Sequence, residues 1–160
     1  MRIFVTGSGG LVGHNIVDHP AIADNELLTP RSKELDLLDF NAVFSYIKEK
    51  KPDLIIHCAG KVGGIQANMR DMYGFYTENA IIGINLIKSA KECGVEKLIN
   101  LSSSCTYPRD YIQPLKEEYT LKAELEPTNE GYALAHKGLF FNDICYSVFC
   151  RNYINSCIYG

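Results

Sequence analysis

The sequence predicts an α/β fold built on a doubly wound parallel sheet. Continuous apolar runs such as residues 53–60, DLIIHCAG, are typical of strands that are buried on both faces. These runs alternate with segments whose apolar residues recur at helical spacing, a pattern typical of a parallel sheet covered by helices. The chain of 160 residues is long enough for one such domain and too short for two ordinary ones.

The predicted elements follow one another regularly along the chain. Each predicted strand is a short apolar run followed by glycine, proline or serine, and each predicted helix repeats apolar residues three or four positions apart. The third helix has Gly94 as its stop signal, and the polar segment that follows the fourth strand contains three prolines and is predicted to be a loop. The elements are, in order, strand 2–6, helix 11–17, strand 26–29, helix 40–50, strand 53–60, helix 77–93, strand 97–104, loop 107–129, helix 132–149 and strand 153–160.

Composition excludes several classes of function. A net charge of −3 with scattered basic residues argues against a nucleic-acid partner, and no apolar run is long enough for a membrane span. The amino terminus has no apolar signal-peptide region. The six cysteines contain no CxxC pair, so we expect reduced thiols, no metal site and a cytoplasmic protein.

A glycine loop lies between the first strand and the first helix. Gly7, Gly10 and Gly13 have the spacing that permits a tight turn, close approach of the backbone to a pyrophosphate and close packing of helix on strand. The helix amino terminus offers unpaired N–H groups to phosphates, and Leu11 and Val12 would flank the cofactor. Glycines also form ordinary turns, but this position after a first strand predicts an NAD(P)-binding, Rossmann-type domain.

The end of the second strand indicates which nicotinamide cofactor is bound. An acidic residue there would bind a ribose 2′-OH, whereas a basic one accommodates a 2′-phosphate. Arg31 and Lys33 occupy this segment, which favours NADP. The alternative is that both are solvated loop charges.

Ser103 and Tyr132 are candidates for the chemistry. Ser103 lies at the carboxyl end of a predicted strand and Tyr132 begins the next helix, so both should face one crevice. A serine hydroxyl can orient a ketone oxygen while a phenol donates the proton that completes its reduction. The phenol needs a nearby cation to lower its ordinary pKa of about 10.

The glycine loop and four further strings together resemble the GDP-L-fucose synthases, which are extended short-chain dehydrogenases/reductases. The resemblance runs in order along the whole chain. The strings AGKVGGI and SSSCTYP are more specific to that family than the glycine loop is. The resemblance implies NADP(H), a GDP-linked sugar substrate, epimerisation at C3 and C5, and reduction of the C4 ketone. The strings are SKELDLLD (32–39), AGKVGGI (59–65), SSSCTYP (102–108) and EPTNEGYALA (126–135).

The resemblance also assigns roles to individual residues. It implies that Ser103 polarises the ketone, that Tyr132 donates the proton and that Cys105 serves in epimerisation, although a half-buried small hydrophobic residue is the alternative for Cys105. Lys61 is expected near the sugar nucleotide or cofactor, with an ordinary loop lysine as the alternative, and Asn79 is expected to be a polar residue of the helix face. The nicotinamide side of the cofactor would be lined by Leu101, Ser102, Ser103 and Ser104.

The chain departs from the family at its catalytic helix. The family has lysine four residues after the tyrosine, where this chain has His136, and Lys137 stands one residue later. Position i+5 points about 140° away from the starting face of a helix, so we expect Lys137 to be a surface lysine unless the helix changes register. A mostly neutral His136 would activate Tyr132 poorly. We therefore expect weak or absent reduction.

Length is the second departure. Family members are roughly twice as long, so residues 1–160 are predicted to form an NAD(P)-binding domain truncated before the substrate domain. Alternatives to an impaired fucose synthase-type enzyme are a non-catalytic NADP-binding fragment and an epimerase or dehydratase acting on another nucleotide sugar. A homodimer is an open expectation.

Overall fold

The computed structural model describes residues 1–120 and 122–139, together with the backbone of residues 153–157. Within these residues, five strands and five α-helices form a three-layer α/β arrangement in which strands alternate with helices, apart from the third and fourth helices, which follow each other directly. The strands are β1 (Arg2–Thr6), β2 (Glu26–Leu28), β3 (Leu54–His57), β4 (Lys97–Leu101) and β5 (Tyr153–Cys157). The helices are α1 (Leu11–Val17), α2 (Phe40–Lys50), α3 (Ile65–Arg70), α4 (Met72–Glu92) and α5 (130–139).

The five strands form one parallel sheet in the order β2-β1-β3-β4-β5. In this register Thr6 pairs with His57, and His57 pairs with Asn100, so three strand ends lie side by side. The chain leaves β1 towards β2 on one side and later continues from β3 on the other. A sheet of this kind has its crevice at the carboxyl ends of the strands, where the order reverses. The predicted Rossmann-type α/β fold is confirmed.

Apolar side chains cover both faces of the sheet. On one face Phe4 and Ile55 pack with Val43 and Ile47 of α2 and with Leu86 of α4, all fully buried. On the other face a smaller cluster near α1 contains the buried residues Ile3, Val5 and Ile56. Burial on both faces explains why β1 and β3 are apolar without alternation. Among the described residues, no helix has the length and hydropathy needed to cross a membrane.

Helix α4 begins at Met72, five residues before the predicted start, and this prediction was wrong. The side chain of Asp71 caps the helix by accepting the Gly74 N–H at 3.0 Å, and a glycine and two tyrosines in the first turns hid the apolar spacing. Helix α3 was not predicted.

The fourth strand also differs from its prediction, because β4 ends at Leu101 rather than at residue 104. The Ser103 Oγ accepts the Cys105 N–H at 3.3 Å and thereby starts a 3₁₀ turn, Ser104–Thr106. Of the predicted helix 132–149, residues 140–149 lie outside the described residues, as do residues 158–160 of the last strand.

Candidate functional site

The glycine loop is a tight turn that presses against the end of β3. Gly7 has φ +68°, and a Cβ built on it would lie 2.7 Å from the Ala59 backbone nitrogen. The Gly10 N–H donates to the Gly7 carbonyl at 2.9 Å, and a Cβ on Gly13 would overlap that same carbonyl. Only glycine fits at positions 7 and 13, because one has a left-handed backbone and the other has no space.

A cavity of about 490 Å³ opens beside this loop at the carboxyl ends of β1 and β3. Gly7, Gly9 and Gly10 line it, and Arg31 lies across it with its guanidinium against Gly9, at the place where a Cβ would be. The described lining includes Arg31 but not Lys33, which is exposed. Thus the two cations predicted to favour NADP are placed differently.

Buried polar atoms indicate that this region fits a dinucleotide. The Ser8 Oγ is buried in the loop and has no hydrogen-bond partner among the described residues. The Ser102 Oγ, near the end of β4, is in the same state. Because buried hydroxyls are normally hydrogen-bonded, the orphaned Ser8 hydroxyl in the glycine loop is a group that a phosphate-bearing ligand would satisfy.

The other predicted cofactor residues lie on the α1 side of the loop. Leu11 is 84% exposed, whereas Val12 lines a separate apolar groove with Leu101 and Ser102. Ser104 is exposed at the start of the 3₁₀ turn. None of these residues lines the Arg31 cavity.

Ser103, Cys105 and Tyr132 are brought together where β4 ends and α5 begins. Ser103 and Cys105 both lie close enough to Tyr132 to shift the pKa of its phenol. Burial raises the pKa of Tyr132, the neighbouring Cys105 raises it further, and the Ser103 side chain opposes both effects. The Asn129 Nδ2 donates to the Cys105 Sγ at 3.1 Å. The cluster therefore contains a phenol, a hydroxyl and a thiol, the groups needed for proton transfer at a ketone.

His136 is a buried residue whose ring contacts that of Tyr132. Its ring centroid is 4.4 Å from that of Tyr132, and the residue is 8% exposed. Burial lowers the pKa of His136 to about 4, so the ring is neutral at pH 7. Neither ring nitrogen has a hydrogen-bond partner within the described part of the chain. The position one turn after Tyr132 therefore offers no cation.

The prediction that Lys137 is a surface residue was wrong, since it is only 8% exposed. Helix α5 is covered on several sides, with Ala133, Ala135 and Leu139 also buried. Burial lowers the pKa of Lys137. The angular spacing of residues on an isolated helix cannot show that other parts of the protein cover more than one side of the helix.

Sequence reasoning missed His57, which lies at the end of β3. The Thr6 Oγ1 accepts the N–H groups of Cys58 and Ala59, both at 3.2 Å, and lies 2.7 Å from the His57 Nδ1. We assign the Thr6 proton to this contact, which makes Nδ1 an acceptor and leaves the ring proton on Nε2. Burial, followed by the proximity of His136, lowers the pKa of His57 to about 3. The sequence indicated only that His57 belongs to an apolar strand.

Lys61 lines the same cavity as the glycine loop. Its Nζ lies 2.7 Å from the Asp71 Oδ2 and 2.6 Å from the Glu78 Oε1. The buried amide of Asn79 accepts the Lys61 N–H at 2.8 Å and donates to the Lys61 carbonyl at 3.0 Å. Asn79 thus holds the backbone of the loop that carries Lys61 at the cavity.

Comparison with known proteins agrees with this geometry. A family model described as the NAD dependent epimerase/dehydratase family matches residues 3–148. The chain belongs to this family.

Among members of known activity, the chain is 52% identical to the GDP-L-colitose synthase of Yersinia pseudotuberculosis over 135 residues, which are 84% of this chain and 44% of that enzyme. It is 44% identical to the GDP-L-fucose synthase of Azorhizobium caulinodans, covering 84% of this chain and 43% of that enzyme. Its fold matches a solved GDP-mannoheptose C4 reductase from Campylobacter jejuni with NADP bound, with a TM-score of 0.93 and 27% identity over 98% of this chain and 50% of that one. This member of the epimerase/dehydratase family spans half or less of the length of each of these three relatives.

Proposed function

We propose that residues 1–160 are the NAD(P)-binding domain of a GDP-sugar epimerase–reductase of the GDP-L-fucose synthase type. The observation that carries the proposal is the cluster of Ser103, Cys105 and Tyr132 after the end of β4, at the same edge of the parallel sheet as the glycine loop. The similarity to GDP-L-fucose and GDP-L-colitose synthases supports a GDP-linked 4-keto sugar as the substrate. The substrate domain would lie outside these residues, since the chain matches less than half of either enzyme.

The cofactor in this proposal is NADP(H), held by the glycine loop with Arg31 towards the 2′-phosphate. Bound NADPH supplies the hydride that reduces the C4 ketone. The solved reductase with NADP bound and the position of Arg31 on the cavity both favour NADP over NAD. A guanidinium suits a phosphate, because it presents several N–H donors in a fixed plane.

The side chains of the cluster divide the remaining chemistry. The Ser103 hydroxyl donates a hydrogen bond to the ketone oxygen and so polarises the carbonyl. Tyr132 gives its proton to that oxygen as the alcohol forms, and Cys105 exchanges protons at C3 and C5, next to the ketone. Each role uses a group that the described structure holds within one cluster at the end of β4.

The proposed reduction is impaired, because the position one turn after Tyr132 offers no cation to stabilise the phenolate that the proton transfer leaves on Tyr132. His136 occupies the position one turn along the helix and is neutral at pH 7. This neutral ring favours a second candidate function, in which the chain binds NADP without reducing a substrate. The 52% identity to a GDP-L-colitose synthase also makes another GDP-linked 4-keto sugar a candidate substrate.

We also propose that the chain pairs with itself through α4 and α5. Tyr73, Tyr76 and Ile84 of α4 and Leu134 of α5 are all between 44% and 79% exposed, and the last three line one groove. An apolar stripe of this kind typically marks an interaction surface.

Cys58, Cys93 and Cys105 are free thiols, which supports placing the protein in the cytoplasm.

Thermal melts with NADPH or NADH test the cofactor proposal directly. A ligand at 100 times its dissociation constant adds about 2.7 kcal/mol, which corresponds to roughly 5–10 °C for a domain of this size. NADPH should give the larger shift, Arg31→Ala should reduce it, and Lys33→Ala should leave it intact because Lys33 is off the cavity. Equal shifts with both cofactors, or equal effects of both variants, would contradict the role of Arg31.

Turnover tests whether His136 is what impairs the reduction. The chain would be joined to the carboxyl-terminal half of an active GDP-L-fucose synthase, with and without His136→Lys, and NADPH oxidation followed with GDP-4-keto-6-deoxy-D-mannose. Gain of activity only in the His136→Lys chimera supports an impaired enzyme. Equal silence of both chimeras supports the cofactor-binding role without catalysis.

A further inference from the structure

Two short 3₁₀ turns that lie far apart in sequence are connected by a side-chain hydrogen bond near the end of β4. One is Ser104–Thr106, where the Thr106 Oγ1 donates to the Ser103 carbonyl at 2.8 Å. The other is Pro127–Asn129, where the Glu126 side chain accepts from the Thr128 N–H at 3.3 Å and from its hydroxyl at 3.1 Å. Both turns are thus held by their own hydrogen bonds. The contact between them runs from the Asn129 side chain to the Cys105 side chain.

The amide of Asn129 is directed at the sulfur of Cys105. Its Nδ2 donates to the Cys105 Sγ at 3.1 Å, whereas its Oδ1 is buried without a hydrogen-bond partner in the part of the chain that the structure describes. The nitrogen belongs on the sulfur side, because a thiolate is an acceptor and a thiol is only a weak donor. An amide that served packing alone would have its carbonyl satisfied as well. The free oxygen remains available to a donor from a bound ligand.

An N–H donor changes the chemistry of a sulfur atom. Hydrogen bonds to a charged group favour the charged form, and they are roughly twice as strong as those between neutral groups. The thiolate, not the thiol, is the form that accepts protons and attacks electrophiles. The contact therefore acts on the state of Cys105 as well as on its position.

We propose that Asn129 is a positioning residue that holds Cys105 in place and stabilises negative charge on its sulfur. The inference rests on the proposed function, in which Cys105 exchanges protons next to a ketone, and it assigns to Asn129 the control of that step. Asn129 acts through Cys105.

The test measures how fast iodoacetamide alkylates Cys105 at pH 7 in the full 160-residue chain. Peptide mass spectrometry separates Cys105 from Cys93, which is the internal reference. Asn129→Leu removes the donor, and Asn129→Asp keeps the shape but replaces the donor with an anion. Thr128→Val is the matched control, because it loosens the same turn without touching the sulfur.

Asn129→Leu should slow alkylation of Cys105 about threefold. The variant loses the donor that stabilises negative charge on the sulfur, and the greater nucleophilicity of a more basic thiolate offsets part of that loss. Asn129→Asp should slow it further, whereas Thr128→Val and the reference Cys93 should not change. Unchanged rates in both Asn129 variants, or equal changes in all three variants, would overturn the proposal.

Two further measurements allow the proposal to be tested even if a variant does not fold. Circular dichroism checks that each variant folds; if Asn129→Leu does not, the isosteric Asn129→Asp decides. If neither folds, the wild-type chain decides, since Cys105 should react at least threefold faster than Cys93, whose pKa is raised by burial. Alkylation involves neither cofactor nor sugar, so its failure would leave the NADPH melt unaffected, and the reverse also holds.

Discussion

Acid should destabilise this fold well above the pH at which carboxylates titrate, because it contains two buried neutral histidines. An unfolded histidine has a pKa near 6.5, whereas the folded pKa values are about 3 for His57 and about 4 for His136. Since folding lowers these pKa values, the unfolded chain binds more protons below pH 6.5. The stability that is fully present above that pH is therefore lost as the pH falls towards the folded values.

The size of the loss follows from proton linkage. Each proton bound only by the unfolded state lowers the free energy of unfolding by about 1.4 kcal/mol per pH unit. Between pH 6.5 and 5 an unfolded histidine carries about 0.8 proton on average, so two histidines remove about 3 kcal/mol. Such a loss is a large part of the stability of an ordinary domain.

Urea unfolding at pH 6.5, 6.0, 5.5 and 5.0, followed by circular dichroism, measures this loss. His136→Phe keeps a ring against Tyr132, and His57→Asn keeps a side-chain acceptor near Thr6, so each variant should remove about half of the pH dependence. His14→Gln is the control, because the His14 side chain is 66% exposed. The reasoning is refuted if the double variant keeps the full slope, or if the wild-type chain loses less than about 1 kcal/mol over this range.

The remaining predictions concern the glycine loop and the exposed stripe. Gly13→Ala should lower the free energy of unfolding by about 1–3 kcal/mol in urea titrations, because its Cβ would overlap a backbone carbonyl. Gly10→Ala, whose Cβ would meet its nearest atom at 3.4 Å, should cost clearly less, and equal losses would contradict the packing argument. Ile84→Lys should convert a dimer to a monomer in light scattering, whereas Ile112→Lys, on an exposed loop, should not; a wild-type monomer would remove the proposed interface.

The sequence predicted the sheet well, because buried parallel strands are marked by composition alone. The apolar run of β1 was located to the residue, and β3 was located to within a few residues. The start of α4 was missed, because its capping residue, Asp71, precedes a run of glycine and tyrosine without clear apolar spacing. Short helices such as α3 have too few turns to show a period.

The site was harder to predict than the fold. Strings of local sequence placed Ser103 and Tyr132 at neighbouring ends of elements, because that proximity follows from the topology of the sheet. The buried state of Lys137 depends on packing around α5, and the pairing of Asn129 with Cys105 depends on two turns far apart in sequence. Such contacts are tertiary, so no local pattern records them.

The chain itself can show whether position 136 controls the phenol. In His136→Lys an ammonium replaces a neutral ring whose centroid lies 4.4 Å from that of Tyr132, and an opposite charge at such range lowers a pKa by about 1–3 pH units. The pKa of Tyr132 should therefore fall from its raised value, as followed by NMR of chains labelled at the tyrosine ring carbon that carries the hydroxyl. Tyr132→Phe identifies the resonance, and Lys137→Met should leave its titration unchanged if only the position one turn along faces the phenol. A fall in the pKa with His136→Lys means that the helix is built for the missing lysine, because the backbone then already directs position 136 at the phenol. If Lys137→Met instead moves the titration and His136→Lys does not, Lys137 is the cation near the phenol, and the reduction proposed as impaired would be intact.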